Sequence, residues 1–315
     1  MNAIKLNVGM HGEFRLVVNQ GTERERDYGW FDNLILDQGL EAIGTNPQGP
    51  NESLIRYCRL GTGTSAPSNS QTVLDTQVAA SGSNPTGSSN SNEGTPLYRV
   101  TQTVYWTFAQ GAVVGNISEI GVGWGSIGAT LFSRALILDG SGNPTTITLV
   151  SIDQLTVYYR LRFTPPITDG TGTLTLSGTG YTYTLRIADI NIFMVGSGSS
   201  TIGRLYPDFF RANTAYTRSH PAGCTIGAIT GYPSGSGVGC GSYSTTNTAY
   251  TPGSYTLRTV MSFGIGDLNA AGGIGGLVVQ SYGWMIIQAV FGTTIPKNNT
   301  KTMSFGIDYS WSRGP

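Results

Sequence analysis

Charge is what this sequence has least of. Only 11% of its 315 residues are Asp, Glu, Lys or Arg, well under the usual quarter. The 18 basic and 18 acidic residues cancel. That balance leaves no basic stripe for nucleic acid and no polybasic anchor for lipid. It also leaves little repulsion against self-association, which suits a subunit held in an assembly. Histidine is scarce: His11 and His220 have no ligand or catalytic partner nearby in sequence and read as surface or turn residues. The three cysteines, Cys58, Cys224 and Cys240, are odd in number and lack metal-ligand spacing. Buried free thiols are their ordinary reading, with a Cys224–Cys240 bridge as the alternative. No apolar run approaches the ~20 residues of a membrane span. Residues Met1–Val8 hold no apolar core of signal-peptide length. The expectation is a chain folded in a reducing cytoplasm, without membrane insertion.

What the sequence does have is glycine and aromatic residues. Gly occurs 45 times, and 5 Trp, 16 Tyr and 11 Phe are present. Low charge can mean disorder, but here the aromatics sit in alternating runs. Tyr98, Val100, Val104, Trp106 and Phe108 alternate with Arg99, Thr101, Thr103, Tyr105 and Thr107. Leu155, Val157, Tyr159, Leu161 and Phe163 alternate with Thr156, Tyr158, Arg160 and Arg162. A period of two puts one set on a buried sheet face and the other on a wetter face. The fold class expected is all-β, an antiparallel β-sandwich, two-lobed in one version, with Gly, Asn, Ser and Pro in the turns.

Along the chain, residues 21–27 read as a solvated charged turn. Phe31–Gly44 is the best helix candidate, with Asp37 as N-cap, Leu40 and Ile43 on one face and Gly44 as the stop. Residues 81–95 are low in complexity and read as a long exposed loop. Thr171–Leu176 and Tyr181–Ile187 read as a hairpin. Residues 196–254 mix Gly/Ser runs with Tyr206, Phe209, Phe210, Tyr216, Tyr232, Tyr243 and Tyr250, and few strands of ordinary length can be drawn there. Such insertions are usually binding loops or assembly contacts. Alternation returns from Tyr255 to Ile265 and from Met303 to Trp311, enclosing two apolar stretches. The order matches that of 97–163, an internal repeat or the two sheets of one sandwich. The divisions expected are a docking region at 1–96, a sandwich core at 97–195, a loop insertion at 196–254 and closing strands at 255–315.

Signals for chemistry are sparse. No Ser sits in a G-x-S-x-G elbow. Gly123-Trp-Gly-Ser-Ile-Gly128 matches a dinucleotide fingerprint, but Ala129–Ile137 reads as a strand where that motif needs a helix. Glu119, Asp139, Asp153, Asp189 and Asp267 are the carboxylates that a glycosidase pair would draw on; nothing in their spacing favours any two. No cofactor or metal site is expected. The loop aromatics have two readings, contact with sugars or partner subunits and packing at the base of their own loops.

Several stretches resemble the virion proteins of tailed bacteriophages. Asn33-Leu-Ile-Leu-Asp-Gln-Gly-Leu is one. Cys58-Arg-Leu-Gly-Thr-Gly-Thr-Ser-Ala-Pro-Ser and Ser118-Glu-Ile-Gly-Val-Gly-Trp are two more. Leu131-Phe-Ser-Arg-Ala-Leu-Ile-Leu-Asp-Gly-Ser-Gly-Asn-Pro and Asp153-Gln-Leu-Thr-Val-Tyr-Tyr-Arg-Leu-Arg complete the set. The likeness covers roughly residues 30–190 and is to proteins labelled tail-fibre, tail-tip or neck-associated. It implies a non-enzymatic tail, fibre or collar subunit that assembles as a symmetric oligomer in the virion. Its partners would be other copies of itself, other virion proteins and, at the loops, a host surface glycan. A carbohydrate-binding protein or depolymerase for envelope glycans is the second expectation, and a capsid decoration protein the third.

Overall fold

A computed structural model describes residues 3–47, 53–82, 85–94, 99–190, 212–241, 243–281 and 285–314. The first half runs β1 (Ala3–Val18), β2 (Arg26–Asp32), β3 (Leu34–Ile35), helix α1 (Asp37–Thr45), β4 (Tyr57–Gly61), β5 (Gln77–Ala80), β6 (Gly87–Glu93) and β7 (Arg99–Phe108). Next come β8 (Gly115–Ile117), β9 (Glu119–Gly123), β10 (Leu131–Leu136), β11 (Ile147–Leu149) and β12 (Leu155–Thr164). The second half runs β13 (Gly170–Leu176), β14 (Thr179–Ile190), β15 (Ala212–Pro221), β16 (Val238–Gly239) and β17 (Tyr243–Asn247). It ends with β18 (Thr256–Phe263), β19 (Ile274–Ser281), β20 (Met285–Ile295) and β21 (Met303–Arg313). The molecule is all-β and sandwich-like. No helix among the described residues is long and apolar enough to cross a membrane.

The alternating runs form the large sheet, ordered β17-β18-β21-β1-β12-β7-β6, with β2 also paired to β1. Its inner face carries Phe14 and Leu16 of β1, Trp106 of β7 and Tyr159 of β12, all buried. These residues share one apolar cluster with Ile120 and Val122 of β9 and with Ile287 and Ala289 of β20. Two smaller sheets therefore close over that face, one ordered β3-β10-β9-β4-β5 and the other β13-β14-β20-β19-β15-β16.

The two halves repeat one topology. In each, an antiparallel pair of the large sheet (β7/β12, β18/β21) encloses a hairpin of a small sheet (β9/β10, β19/β20). The strands flanking that hairpin come from earlier in the same half and pair in the same order, β3 and β4 in one, β14 and β15 in the other. The correspondence reaches individual residues. Leu34, Arg134, Gly121, Arg59 and Ala80 form one cross-strand row. Arg186, Gln288, Val278, Arg218 and Gly239 form its counterpart.

β1 joins the halves. Gly9–Val18 pairs antiparallel with β12, and Ala3–Met10 pairs parallel with β21 on the other edge. Passing from one half to the other reverses both strand direction and lateral order. That is a half-turn about an axis normal to the large sheet, near the middle of β1. Among the described residues, the β1/β21 pair is the one departure from an antiparallel sandwich in the large sheet.

Several expectations are corrected. Leu36, not Asp37, is the N-cap of α1; Asp37 opens the first turn and bonds Arg313. The helix ends at Asn46, whose φ of 50° is left-handed, and not at Gly44. Gly44 is small for another reason: a Cβ there would meet the Tyr250 ring at 2.3 Å. The loop expected over 81–95 contains β6, an edge strand of the large sheet. Its Ser/Asn alternation carries no hydrophobic period, so only its pairing with β7 reveals it. The 171–187 hairpin is present, with Ser177 and Gly178 both at positive φ in a two-residue turn, as the twist of paired strands favours. Within 212–254 lie a ten-residue strand, β15, and an edge strand, β17. Leu97, Tyr98 and Trp284 fall outside the described residues.

Leu6 is buried on the half of β1 that serves β21. Leu6→Ala should cost about 2–5 kcal/mol in urea unfolding. Hydrogen exchange should rise more in β21 and β18 than in β7; equal loss in both halves would show that β1 does not divide between them.

Candidate functional site

Four of the five stretches that resemble phage proteins are far apart in sequence but meet on the outer side of the first small sheet; the fifth, Asp153–Arg162, runs into β12 of the large sheet. Glu119 on β9 and Arg134 on β10 are both fully buried there and form an ion pair of 2.8 Å. Burying charge without compensation costs several kcal/mol per ion, so every oxygen and nitrogen needs a partner. The Glu119 carboxylate accepts hydrogen bonds from the backbone N–H of Gly63 (3.0 Å), Asp75 (3.1 Å) and Thr76 (2.8 Å). Arg134 donates to the Ser65 carbonyl (3.1 Å), Gln71 Oε1 (2.9 Å) and Asp75 Oδ2 (2.8 Å). Ser118 Oγ donates to the Gly63 carbonyl at 2.9 Å, and Gln38 from α1 reaches the Thr72 and Leu131 carbonyls at 2.9 and 2.7 Å. The Gly-Thr-Gly-Thr-Ser-Ala-Pro stretch and the residues after it are thus fastened flat on the sheet as a cover.

Asp75 is held below its ordinary pKa of 3.8, first by hydrogen bonding from Ser65 and then by the charge of Arg134. A second buried cation faces the loop at 125–130. Arg59 donates to the carbonyls of Gly125 (2.8 Å), Ile127 (2.9 Å) and Gly128 (2.8 Å), and to Thr130 Oγ1. Burial lowers its pKa to about 10. The Gly123–Gly128 fingerprint therefore turns its carbonyls onto an arginine and is followed by strand β10, the wrong setting for a pyrophosphate. In the second half Gln288, also fully buried, occupies the position of Arg134. It accepts from Gly227 N–H (2.7 Å) and donates to the carbonyls of Gly231 (2.9 Å) and Ala228 (3.1 Å), holding the loop between β15 and β16.

Three of the other carboxylates weighed for acid–base work are occupied locally. Asp139 caps its own turn through Ser141 and Asn143 N–H, and Asp153 accepts from Val150 N–H and Asn19 Nδ2. Those backbone bonds hold both groups below the usual carboxylate range. Asp267 accepts from Gly241 and Gly264 N–H, and Asp189 lies at a register shift opposite Ile286. The structure brings no two of these five together in a shared hydrogen bond among those described. His11, Glu13 and Asp32 place one ligand atom each within 4.8 Å, but Glu13 is bonded by Arg160 and Arg162. His220 Nδ1 lies 3.3 Å from the Ser234 carbonyl. All three cysteines are free thiols; Cys58 is fully buried, and burial pushes its thiol well up.

Of the loop aromatics, Tyr206, Phe209 and Phe210 lie outside the described residues, as does the side chain of Tyr216. Tyr232 and Tyr243 are exposed. Tyr250 is not a free contact residue. Its hydroxyl donates to Glu41 at 2.8 Å and its ring stacks on Trp311 with centroids 6.0 Å apart. Burial, with Glu41 alongside, pushes it up to about 12. Searches of protein-family models, curated proteins and solved structures gave no match to this chain.

Arg134→Met would strand the Glu119 carboxylate in the interior and should cost about 3–5 kcal/mol; adding Glu119→Gln should return part of that loss, a coupling read from a double-mutant cycle. Because the folded Asp75 pKa is depressed, its contribution is complete above the unfolded value of 3.8 and drains away as pH falls through the lower folded value. Acid unfolding below about pH 4 should flatten in Asp75→Asn; an unchanged acid limb would remove Asp75 from the clamp's energetics.

Proposed function

We propose that this chain is a non-enzymatic structural subunit of a bacteriophage virion, of the tail-fibre, tail-tip or collar type, assembled in the host cytoplasm into a symmetric oligomer. The observation that carries the reading is the convergence of four of the five resembling stretches. Residues 33–40, 58–68, 118–124 and 131–134 meet in one clamp whose polar groups are spent on each other and on backbone. Residues arranged this way fix a surface; they leave no acid or nucleophile aimed at a substrate. A nearly uncharged, doubly repeated β scaffold with its cover loops tied down is what a part gripped by identical neighbours needs. Its partners are other copies of itself and other virion proteins.

Particles purified by density gradient should contain the chain at a fixed copy number, detected by mass spectrometry and by immunogold labelling at the tail or neck. Recovery only from the soluble lysate would end this reading. Labelling over the whole capsid would replace it with a decoration role, and release of reducing ends from envelope glycans with a depolymerase.

A further inference from the structure

We propose that the outer face of the large sheet in its first half is a binding strip for a linear, uncharged polysaccharide. Strand register lines up Trp30 on β2, Arg15 on β1, Tyr158 on β12, Tyr105 on β7 and Gly87 on β6 in a single cross-strand row. Strands about 4.8 Å apart make that row about 19 Å long, enough for several consecutive sugar rings. Three of the five side-chain positions are aromatic, and all three rings are only part-buried. Tyr105 and Tyr158 have centroids 5.4 Å apart at 40°, and Trp30 and Tyr158 6.4 Å apart at 63°. Gly87 keeps the row open at its end: a Cβ there would strike the Tyr105 ring at 2.6 Å.

Two residues further along the strands lies a second row, Asp32, Glu13, Arg160, Thr103 and Ser89. It is polar throughout. A pyranose presents an apolar C–H face, which packs on an aromatic ring, and an equatorial rim of hydroxyls, which needs planar donors and acceptors. A ring row beside a polar row matches both along one line. The side chains are held ready. Arg160 lies 4.1 Å over the Trp30 ring and donates from Nε and Nη2 to the Glu13 carboxylate at 2.8 and 2.7 Å. Arg15 is clasped by Asp27 and sits 5.6 Å from the Tyr158 ring.

Charge decides the class of ligand. Arg15, Arg160 and Arg162 each contact a carboxylate of Asp27, Glu13 or Glu93. The strip carries its charges in pairs and offers no cationic field to a polyanion. The tilt between successive rings fits a chain that twists from unit to unit, not a flat crystalline one. The strip shares no residue with the Tyr-rich segment at 196–254 and does not depend on the virion reading.

The test is affinity electrophoresis of the full chain in gels containing dextran, yeast mannan or galactomannan, with alginate and heparin as acidic counterparts. At least one neutral polymer should retard the protein, insensitively to salt. Trp30→Ala and Tyr158→Ala should each weaken that retardation about tenfold, while Tyr158→Phe retains it. Trp30→Ala, on the marginal strand β2, serves if Tyr158→Ala melts early. Quenching of tryptophan fluorescence by the retarding polymer, lost in Trp30→Ala, gives an independent reading. The proposal is overturned by no retardation in any neutral gel, by retardation only in alginate or heparin that salt abolishes, or by retardation indifferent to both alanine variants. A concentration-dependent dimer that Trp30→Ala dissociates would assign the strip to a second copy of this chain and overturn it equally.

Discussion

The double pairing of β1 is the constraint from which the architecture follows. One strand of sixteen residues supplies an edge to each half of the molecule, Gly9–Val18 to β12 and Ala3–Met10 to β21. Because its even-numbered residues all point the same way, both halves must bury their apolar side against the same face. The two small sheets therefore close over one continuous core instead of forming separate lobes with separate cores. The half-turn relating them then places equivalent loops at opposite ends of the large sheet.

Within each half the same problem recurs, a loop of some fifteen residues lying across a small sheet with its backbone groups to satisfy. The solutions differ in chemistry but not in place. Arg134 with Glu119 and Asp75 does it by charge; Gln288 does it with a neutral amide. A chain this poor in charge commits two fully buried ions to a loop in one half and none to the equivalent loop in the other. The charged version draws on three side chains where the neutral one uses a single amide, and four of the five phage-like stretches converge on it.

Much of the framework could be read from residues alone. The runs at 99–108, 155–163, 256–263 and 303–311 alternate because one face is wet and the other dry, and that pattern survives any choice of partner. Their repetition, visible as a similar order of strands and connectors, is real in the pairing. What escaped has physical causes. β6 and β17 are polar on both faces, so periodicity has nothing to register. The clamp joins Arg134 to residues 59–69 positions earlier, and no spacing rule spans such separations. Tyr105, Tyr158 and Arg160 were legible as the wet face of two strands, but their alignment with Trp30 depends on register through β1. Tyr250 illustrates the converse: an aromatic in a Gly-rich segment looks available until its ring is found against Trp311 and Gly44.

The parallel pairing of Ala3–Met10 with Gly306–Arg313 sets an order of events on the ribosome. The first half has its whole complement of strands once residue 164 has emerged, and β12 can then dock on the later part of β1. The earlier part of that strand must wait for some 140 further residues, on the order of ten seconds of translation. Throughout that interval a nascent chain displays a bare hydrogen-bonding edge backed by Ile4, Leu6 and Val8, and whatever shields it before release governs the yield of correctly finished molecules.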